Sequence, residues 1–447
     1  MPHPLAQSAL AVVLALASCS DRDPVAPGPT SPSPTAEAPT EPAPAPPEEP
    51  TMNEPTPPAA ERAPLPVPAD VREGRLEEAT NRLGYEVLQR TKREGENLAF
   101  SPASLSLALA MTWAGARGET AEQMARALHL GDADGIHRSA AELVRAWNQR
   151  SGEYELAVAN RLFGDERQPI EREFLRLTQQ RYQAPLETVS FQPPEPARQR
   201  INAWVSEQTH ERIEDLIPPN GVDASTGLVL VNAVYFLGEW TAPFPHHATR
   251  DRAFSRETGG TVSVPMMTQT GELRFAENDE VSVLELPYRG GHFAMDVILP
   301  KERRGLAAIE AELSPERVAG WLDDLSPQRV DVALPKFTFD GGTLEMTAVF
   351  RELGMVLPFR EEADFTGISD PEDHGSRLHI GAIFHQTFVK VDEEGTEAAA
   401  ATAVAMTRGA MPPQATAEFH ADHPFLFLLR DLRSGAVLFM GRIADPS

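Results

Sequence analysis

From about residue 71 onward, the apolar residues switch repeatedly between a helical and a strand-like period. Leu76, Leu83, Val87 and Leu88 fall on one helical face across residues 75–92. Residues 97–124 read as a buried helix entered through Ser101 and Pro102, with Pro at the first turn; Gly115 and Gly118 break it, and Thr120 is placed to cap the next helix. Further helical patterns occupy residues 171–180, 198–213 and 306–313. Residues 230–236 and 281–286 are rich in β-branched and aromatic side chains and predict strands, and 425–429 with 437–440 bracket a Ser434-Gly435 turn. Strands and helices mixed without a repeating βαβ rhythm predict an α+β fold.

One stretch is written for two secondary structures at once. Residues 391–411, VDEEGTEAAAATAVAMTRGAM, have high helix propensity in the Ala run and an acidic start that suits the positive end of a helix dipole. As a strand, the same residues put Thr396, Ala398, Ala400, Thr402, Val404 and Met406 on one face, small or apolar and all uncharged. The other face carries Glu397, Ala399, Ala401, Ala403, Ala405 and Thr407, with nothing bulky to resist sliding between neighbours. Propensity alone favours a surface helix; the strand face is one that a sheet could bury. Arg408, Gly409, Ala410 and Met411, followed by Pro412 and Pro413, have the composition of an exposed loop that a protease can bind in extended form.

The amino-terminal part is of a different kind. Residues 5–17 are apolar apart from Gln7 and Ser8, too short to span a membrane comfortably but the size of a signal-peptide core. Residues 20–70 are Pro, Ala, Thr, Ser and Glu with scarcely a large apolar side chain, so they cannot bury enough surface to offset chain entropy and read as an extended tether. At 447 residues, 41% of them hydrophobic, the remainder is long enough for a sizeable core. A net charge of -26 argues against a nucleic-acid partner, which needs basic patches. The single cysteine, Cys19, rules out an internal disulfide, a Cys-based zinc site and a thiol catalyst in the folded part.

No catalytic constellation emerges. There is no Gly-x-Ser-x-Gly elbow, no His-Glu-x-x-His helix and no glycine-rich phosphate loop. His246-His247 and the pair His420 and His423 lack a carboxylate or Cys at ligand spacing and read as surface or structural residues. Neither a metal nor another cofactor is expected. Ser101, Ser104, Asn232 and His385 stand in otherwise buried-looking runs, where polar groups need partners.

An ordered set of segments resembles the serpins, the serine protease inhibitor superfamily. Residues 97–124 resemble its helix B to helix C region, ANRLFG (159–164) a central strand of its main sheet, and INAWVSEQTHERIEDLI (201–217) the helix that crosses that sheet. LVNAVYFLGEW (230–240) resembles the next central strand with its tryptophan, here Trp240 in the region called the breach. VPMM (264–267), LPY (286–288), ILP (298–300), LPKF (334–337), ADFTGI (363–368), HPFLFLLR (423–430) and LFMGRI (438–443) follow in order. Separately, Leu16, Ala17, Ser18 and Cys19 resemble a bacterial lipobox, although Pro2 and His3 stand where basic residues are expected upstream.

These resemblances imply three domains: a lipoprotein signal peptide (1–19), a disordered tether (20–70) and a serpin domain (71–447) with its hinge and reactive loop at 391–413. The implied fold has three β-sheets, about nine helices and an exposed reactive-centre loop. Glu393, Glu394, Gly395, Thr396, Glu397, Ala398, Ala399, Ala400, Ala401 and Thr402 match the hinge of inhibitory members. Ser101, Ser104, Asn232 and His385 would form the shutter, a hydrogen-bond cluster under the main sheet. In the implied activity a serine protease cleaves the loop, and the freed hinge inserts into the main sheet and traps the acyl-enzyme. Such insertion would bury about six inward side chains and gain on the order of 10–20 kcal/mol.

Non-inhibitory relatives often carry a bulky or charged first inward residue, and this chain has Thr396; the alternative is a ligand carrier or chaperone-like serpin. The reactive bond is Arg408-Gly409, facing a trypsin-like enzyme, or Gly409-Ala410, facing a subtilisin-like one. A polyanion cofactor is not expected, because residues 132–150 mix Arg138, Arg145 and Arg150 with Asp132, Asp134 and Glu142. The expected protein is an extracytoplasmic monomer, anchored by lipid on Cys19 to the bacterial outer membrane or else secreted.

Overall fold

The computed structural model describes residues 8–18, 75–149, 151–371, 377–396 and 416–447, the first of these as backbone. The chain divides into two units, residues 1–20 with 73–447, and residues 21–72, the latter outside the described residues. In chain order the elements are β1 (Ser8–Ser18), α1 (Leu76–Thr91), β2 (Leu98–Phe100), α2 (Pro102–Trp113), α3 (Gly118–Ala127), α4 (Ala133–Trp147), β3 (Tyr154–Asp165), α5 (Arg172–Tyr182), β4 (Leu186–Val189), α6 (Pro194–Gln208) and β5 (Thr226–Glu239). Then come β6 (Arg250–Ser255), β7 (Thr261–Glu277), β8 (Val281–Pro287), β9 (Phe293–Pro300), α7 (Leu306–Ala311), α8 (Pro315–Asp323), β10 (Ser326–Pro335), β11 (Phe337–Glu345) and α9 (Thr347–Glu352). The last strands are β12 (Leu378–Val391), β13 (Gly395–Thr396), β14 (Ala417–His420), β15 (Phe425–Asp431) and β16 (Val437–Ile443). Among the described residues this is an α+β fold of nine α-helices and three sheets.

The main sheet has the order β11-β12-β1-β5-β3-β4, with β13 paired to β5. The other two sheets share the long β7, whose first half pairs with β6 and whose end pairs with β8; β10 runs along it and carries β14, while β9, β15, β16 and β2 extend from β8. The sequence of β5 explains its place. Leu228, Leu230, Val234 and Phe236 point into the main core, and Val229, Val231, Ala233 and Tyr235 point the other way into a second core. A strand buried on both faces has to be apolar on both, and β5 is almost continuously so.

The second core is closed by α6, whose Ile201, Trp204 and Val205 lie on the outer face of β3 and β5. The helical pattern of 198–213 is displaced here: α6 starts earlier, with Pro194 at its first turn, and ends at Gln208. His210 and Glu211 adopt left-handed backbone angles that a helix cannot continue through, so the 201–217 segment is helical only in its first half. Ile213, Leu216 and Ile217 still reach the same core, from a turn rather than a helix. The apolar spacing therefore reported burial correctly and conformation only in part.

The 97–124 stretch follows the expected order of helix, break and helix: after the short β2, α2 starts at Pro102 and ends at Trp113, α3 starts at Gly118, and Ser101 caps α2 by accepting the Ser104 amide at 3.0 Å. One expectation there is corrected. Thr120 does not cap α3. It lies inside that helix, and its hydroxyl accepts the amide of Asp364 at 2.9 Å, a partner from a distant segment that outcompetes the local one.

Under α1, the Arg430 guanidinium donates to Asp296 at 2.8 Å and to Glu285 at 3.2 Å, joining β15, β9 and β8. Burial and the nearby Asp296 charge push the Glu285 carboxyl above its ordinary range despite Arg430. Removing only the cation strands two buried carboxylates. We expect Arg430→Met to destabilise the fold by about 3–5 kcal/mol in denaturant unfolding; a loss under about 1 kcal/mol would mean that the pair is solvated.

Candidate hinge and sheet-opening site

The segment after β12 turns back on itself and begins a new strand. Asp392 donates its amide to the Gly395 carbonyl at 3.0 Å, closing the turn, and the Glu394 amide donates to the Asp392 carboxylate at 3.1 Å. This turn is wired to the end of β5. The Trp240 amide donates to Glu394 at 2.8 Å, the Phe244 amide to Glu393 at 2.8 Å, and the Trp240 indole to the Asp392 carbonyl at 3.0 Å. Trp240 is buried and stacks on Tyr288 with ring centroids 4.5 Å apart.

The two hinge acids are held differently. Glu393 is buried and accepts from Lys336 at 2.7 Å and from Thr249 at 2.7 Å, while exposed His246 lies 3.2 Å from the Glu394 carboxylate. Burial pushes the Glu393 carboxyl up, but the hydrogen bonds from Lys336, Thr249 and its own amide outweigh it and hold the group below its usual value. Lys336 sits within the LPKF segment and Tyr288 within LPY; neither was singled out from the sequence, because their partners are far along the chain. His246, read from the sequence as a surface or structural residue, is exposed and belongs to this clamp.

Past the turn, Gly395 pairs with Glu239 and Thr396 with Gly238 as β13. Only glycine fits at 395, since a Cβ there would sit 2.0 Å from the Gly238 carbonyl oxygen. Thr396 is 1% exposed and its hydroxyl shares a hydrogen bond with the Tyr288 phenol. Beneath it Phe236, Met295, Val389, Phe427, Leu429 and Phe439 line an apolar void too narrow for water. Glu397, Ala398, Ala399, Ala400, Ala401 and Thr402, like Arg408, Gly409, Ala410 and Cys19, lie outside the described residues.

Ser101, Ser104, Asn232 and His385 come together at the middle of the main sheet, each fully buried. The Ser101 amide donates to His385 Nε2 at 3.1 Å, and the Ser104 hydroxyl donates to Asn232 Oδ1. Asn232 donates to Asn160 at 2.8 Å, and Asn160 donates to the Tyr182 carbonyl at 2.8 Å. Asn160 extends the cluster and was missed; its signal was a polar side chain in an otherwise alternating buried strand. The geometry is that of a staple. Through Ser101 and Ser104 the start of α2 holds β12 on one side and β5 with β3 on the other.

Between those two sides lies β1, antiparallel to both, from Leu10 opposite Thr387 to Ser18 opposite Leu378, and from Ser8 opposite Phe236 to Ala17 opposite Thr226. Consequently β5 and β12 run in the same direction with a gap one strand wide. Two others of the histidines considered as ligands have partners from distant segments: His420 faces Asp331 at 3.1 Å, and His423 lies 2.8 Å from the Pro300 carbonyl. Among the described residues no group of three or more His, Cys, Asp or Glu is arranged to hold a metal, and no helix is long and apolar enough to cross a membrane.

The serpin (serine protease inhibitor) family model matches residues 78–446. The chain is 36% identical over 394 residues to human Serpin B3, covering 83% of this chain and 99% of that one. It is 40% identical over 360 residues to the leukocyte elastase inhibitor of Sus scrofa, covering 78% and 93%. Among solved structures, cleaved Serpin 42Da superposes with a TM-score of 0.73 at 29% identity, covering 83% of this chain and 98% of that one.

Burial takes the His385 imidazole down to about 3, so it stays neutral in the folded protein while the unfolded chain protonates near 6.5. Its contribution to stability is complete above about pH 6.5 and is lost as pH falls toward the folded value, at about 1.4 kcal/mol per unit. We expect His385→Gln, which can still accept the Ser101 amide, to flatten the pH dependence of unfolding between about pH 4 and 6 relative to the parent chain. Parallel curves for the two proteins would show that His385 is charged or solvated when folded.

Proposed function

The chain belongs to the serpin family, and on that premise we propose that it is an irreversible suicide-substrate inhibitor of serine-type endopeptidases. Protease inhibition is what the family and relatives such as the leukocyte elastase inhibitor support in general. The finer reading rests on one observation: the hinge already begins a strand beside β5, and the first side chain that this strand buries, that of Thr396, is uncharged.

The register of β13 extends this reading. Continued residue by residue, it would set Ala398, Ala400, Thr402, Val404 and Met406 opposite Phe236, Val234, Asn232, Leu230 and Leu228. Of those β5 residues, the four apolar ones face the main core. The small or apolar face of the loop would thus be the face that is buried, and the Glu397 face would lie on the opposite side. Cleavage at Arg408-Gly409 or Gly409-Ala410 would free the strand to enter, carrying the acylated protease with it. Arg408 suits a trypsin-like target and Gly409 a subtilisin-like one.

We further propose that the domain acts outside the cytoplasm as a monomer, tethered through residues 20–70 to lipid on Cys19 or released by secretion. At about 3 Å per residue the tether would hold the domain on the order of 100 Å from a membrane.

Incubating the chain with a panel of trypsin-like and subtilisin-like enzymes tests the reading through a one-to-one covalent adduct that survives denaturant. A clipped chain without adduct would favour a ligand-binding serpin. We expect Thr396→Arg to leave the loop cleavable while raising the number of inhibitor molecules consumed per protease by about tenfold or more, since it buries an unpaired charge at the first step of insertion. An unchanged stoichiometry would exclude strand insertion as the trapping step.

A further inference from the structure

A cleft of about 370 Å³ lies between the end of α1, the turn that joins β6 to β7, the segment entering α7, and β16. None of its residues belongs to the hinge or to the central cluster of the main sheet. Its floor is a closed ionic network. Arg442, 1% exposed, donates to both carboxylate oxygens of Glu257 at 2.6 Å and to the backbone carbonyls of Arg93 and Glu96. Arg442 Nε lies 2.7 Å from the Glu310 carboxylate, which Lys92 meets at 3.2 Å. Two cations and two carboxylates balance there, so the floor carries no surplus charge.

The rim is not balanced. Arg93 and Arg304 are both exposed on it; the acid nearest Arg93 is Glu96 at 3.9 Å, and among the described residues no carboxylate pairs with Arg304. On a chain of net charge -26, the rim thus sets two guanidiniums against one carboxylate, that of Glu94.

Neither guanidinium stands on a loose segment. The buried Arg442 holds the carbonyl of Arg93, and Gly95, two residues on, donates its amide to Glu257 at 2.6 Å. Arg304 lies in a turn closed by the Gly305 amide on the Glu302 carbonyl at 2.8 Å. Its side chain reaches across to the β6–β7 turn, where a Cβ at Gly259 would sit 3.1 Å from Arg304 Nη2. The φ of +97° at Gly259 belongs to glycine in any case. A fixed backbone under each cation is what holds a binding constellation in place without the ligand.

We propose that this cleft binds a phosphate or sulfate monoester carried on a small hydroxylated body such as a sugar. Two guanidiniums converging from separate segments suit a doubly charged oxyanion, since each can donate a pair of parallel hydrogen bonds. The cleft has the volume of about twelve waters at roughly 30 Å³ each, more than a bare oxyanion fills. Beside the cations, Thr258 and Glu94 offer a hydroxyl and a carboxylate to the hydroxyls of that body. A long polyanion fits poorly, because Glu94 and Glu96 flank Arg93. The ligand would bridge segments that meet only in the folded chain, and binding would therefore stabilise the fold. The inference is independent of the inhibitory reading.

The test is thermal unfolding of the full chain in sodium chloride, inorganic phosphate and a hexose phosphate at matched ionic strength. It is repeated with Arg93→Gln combined with Arg304→Gln, and with Arg172→Gln combined with Arg329→Gln, which removes the same charge from exposed positions outside the cleft. Phosphate stabilises proteins in general by exclusion from their surface, so the comparison between variants decides. We expect the hexose phosphate, at about a hundred times its Kd, to raise the unfolding midpoint of the parent and the control by about 3 °C. The Arg93→Gln/Arg304→Gln chain should need at least tenfold more ligand for the same shift. A shift equal in all three chains, or none beyond that of chloride, would overturn the site. Inorganic phosphate should act only at several-fold higher concentration; equal potency would overturn the hydroxylated body. Amide hydrogen exchange gives a second readout: the hexose phosphate should slow exchange at 93–96, 257–260 and 304–307 and leave 228–236 unchanged, whereas slowing spread over the whole domain would contradict the site. Cosedimentation with phosphatidylcholine vesicles, with and without phosphatidic acid, separates two sources of the same chemistry. Binding to the acidic vesicles that is lost in the Arg93→Gln/Arg304→Gln chain supports a lipid headgroup as the monoester, and the thermal shift without such binding supports a soluble one.

Discussion

A sheet in which two neighbouring strands run the same way, one strand-width apart, is the constraint on which this molecule turns. Backbone N–H and C=O groups along the facing edges of β5 and β12 need partners, and the side chains behind them need cover. A single antiparallel strand meets both needs at once, because β1 pairs with both edges. Whatever supplies that strand gains the whole ladder. The position calls for an uncharged strand, and β1 is uncharged throughout.

Control over the gap is lodged in polar groups that an apolar core would otherwise exclude. The Ser101 and Ser104 pair reaches to both sides, and its hydrogen bonds are worth most when both strands keep their native spacing. At the upper end Glu393 and Glu394 hold the start of the hinge through Lys336, Thr249 and His246, while Gly395 lets the chain approach β5 closely enough to pair. Together they fix the spacing of β5 and β12 across the position that β1 fills.

Much of the architecture was legible because it follows from burial. β5 is apolar on both faces since it has the main core beneath it and α6 above it, and no solvent-facing element of that length would be written so. The four polar residues of the central cluster were legible for the converse reason, being polar where their neighbours are not. What was not legible depended on distance along the chain. Lys336 and His246 meet their hinge partners across 57 and 148 residues, and nothing local marks them. Thr120 had the right residue type for a cap but gave its hydroxyl to Asp364, and residues 209–217 kept a helical spacing of apolar side chains while their backbone turned.

The central claim is that this sheet is more stable with one further strand drawn from its own reactive loop. Calorimetry on the chain starting at Cys19, intact and nicked within residues 403–411, measures that difference directly. The nicked molecule is expected to unfold about 13 °C higher, the shift that a gain on the order of 10 kcal/mol gives in a domain of this size. A nicked molecule that unfolds at the same temperature as the intact one, or below it, would contradict the claim.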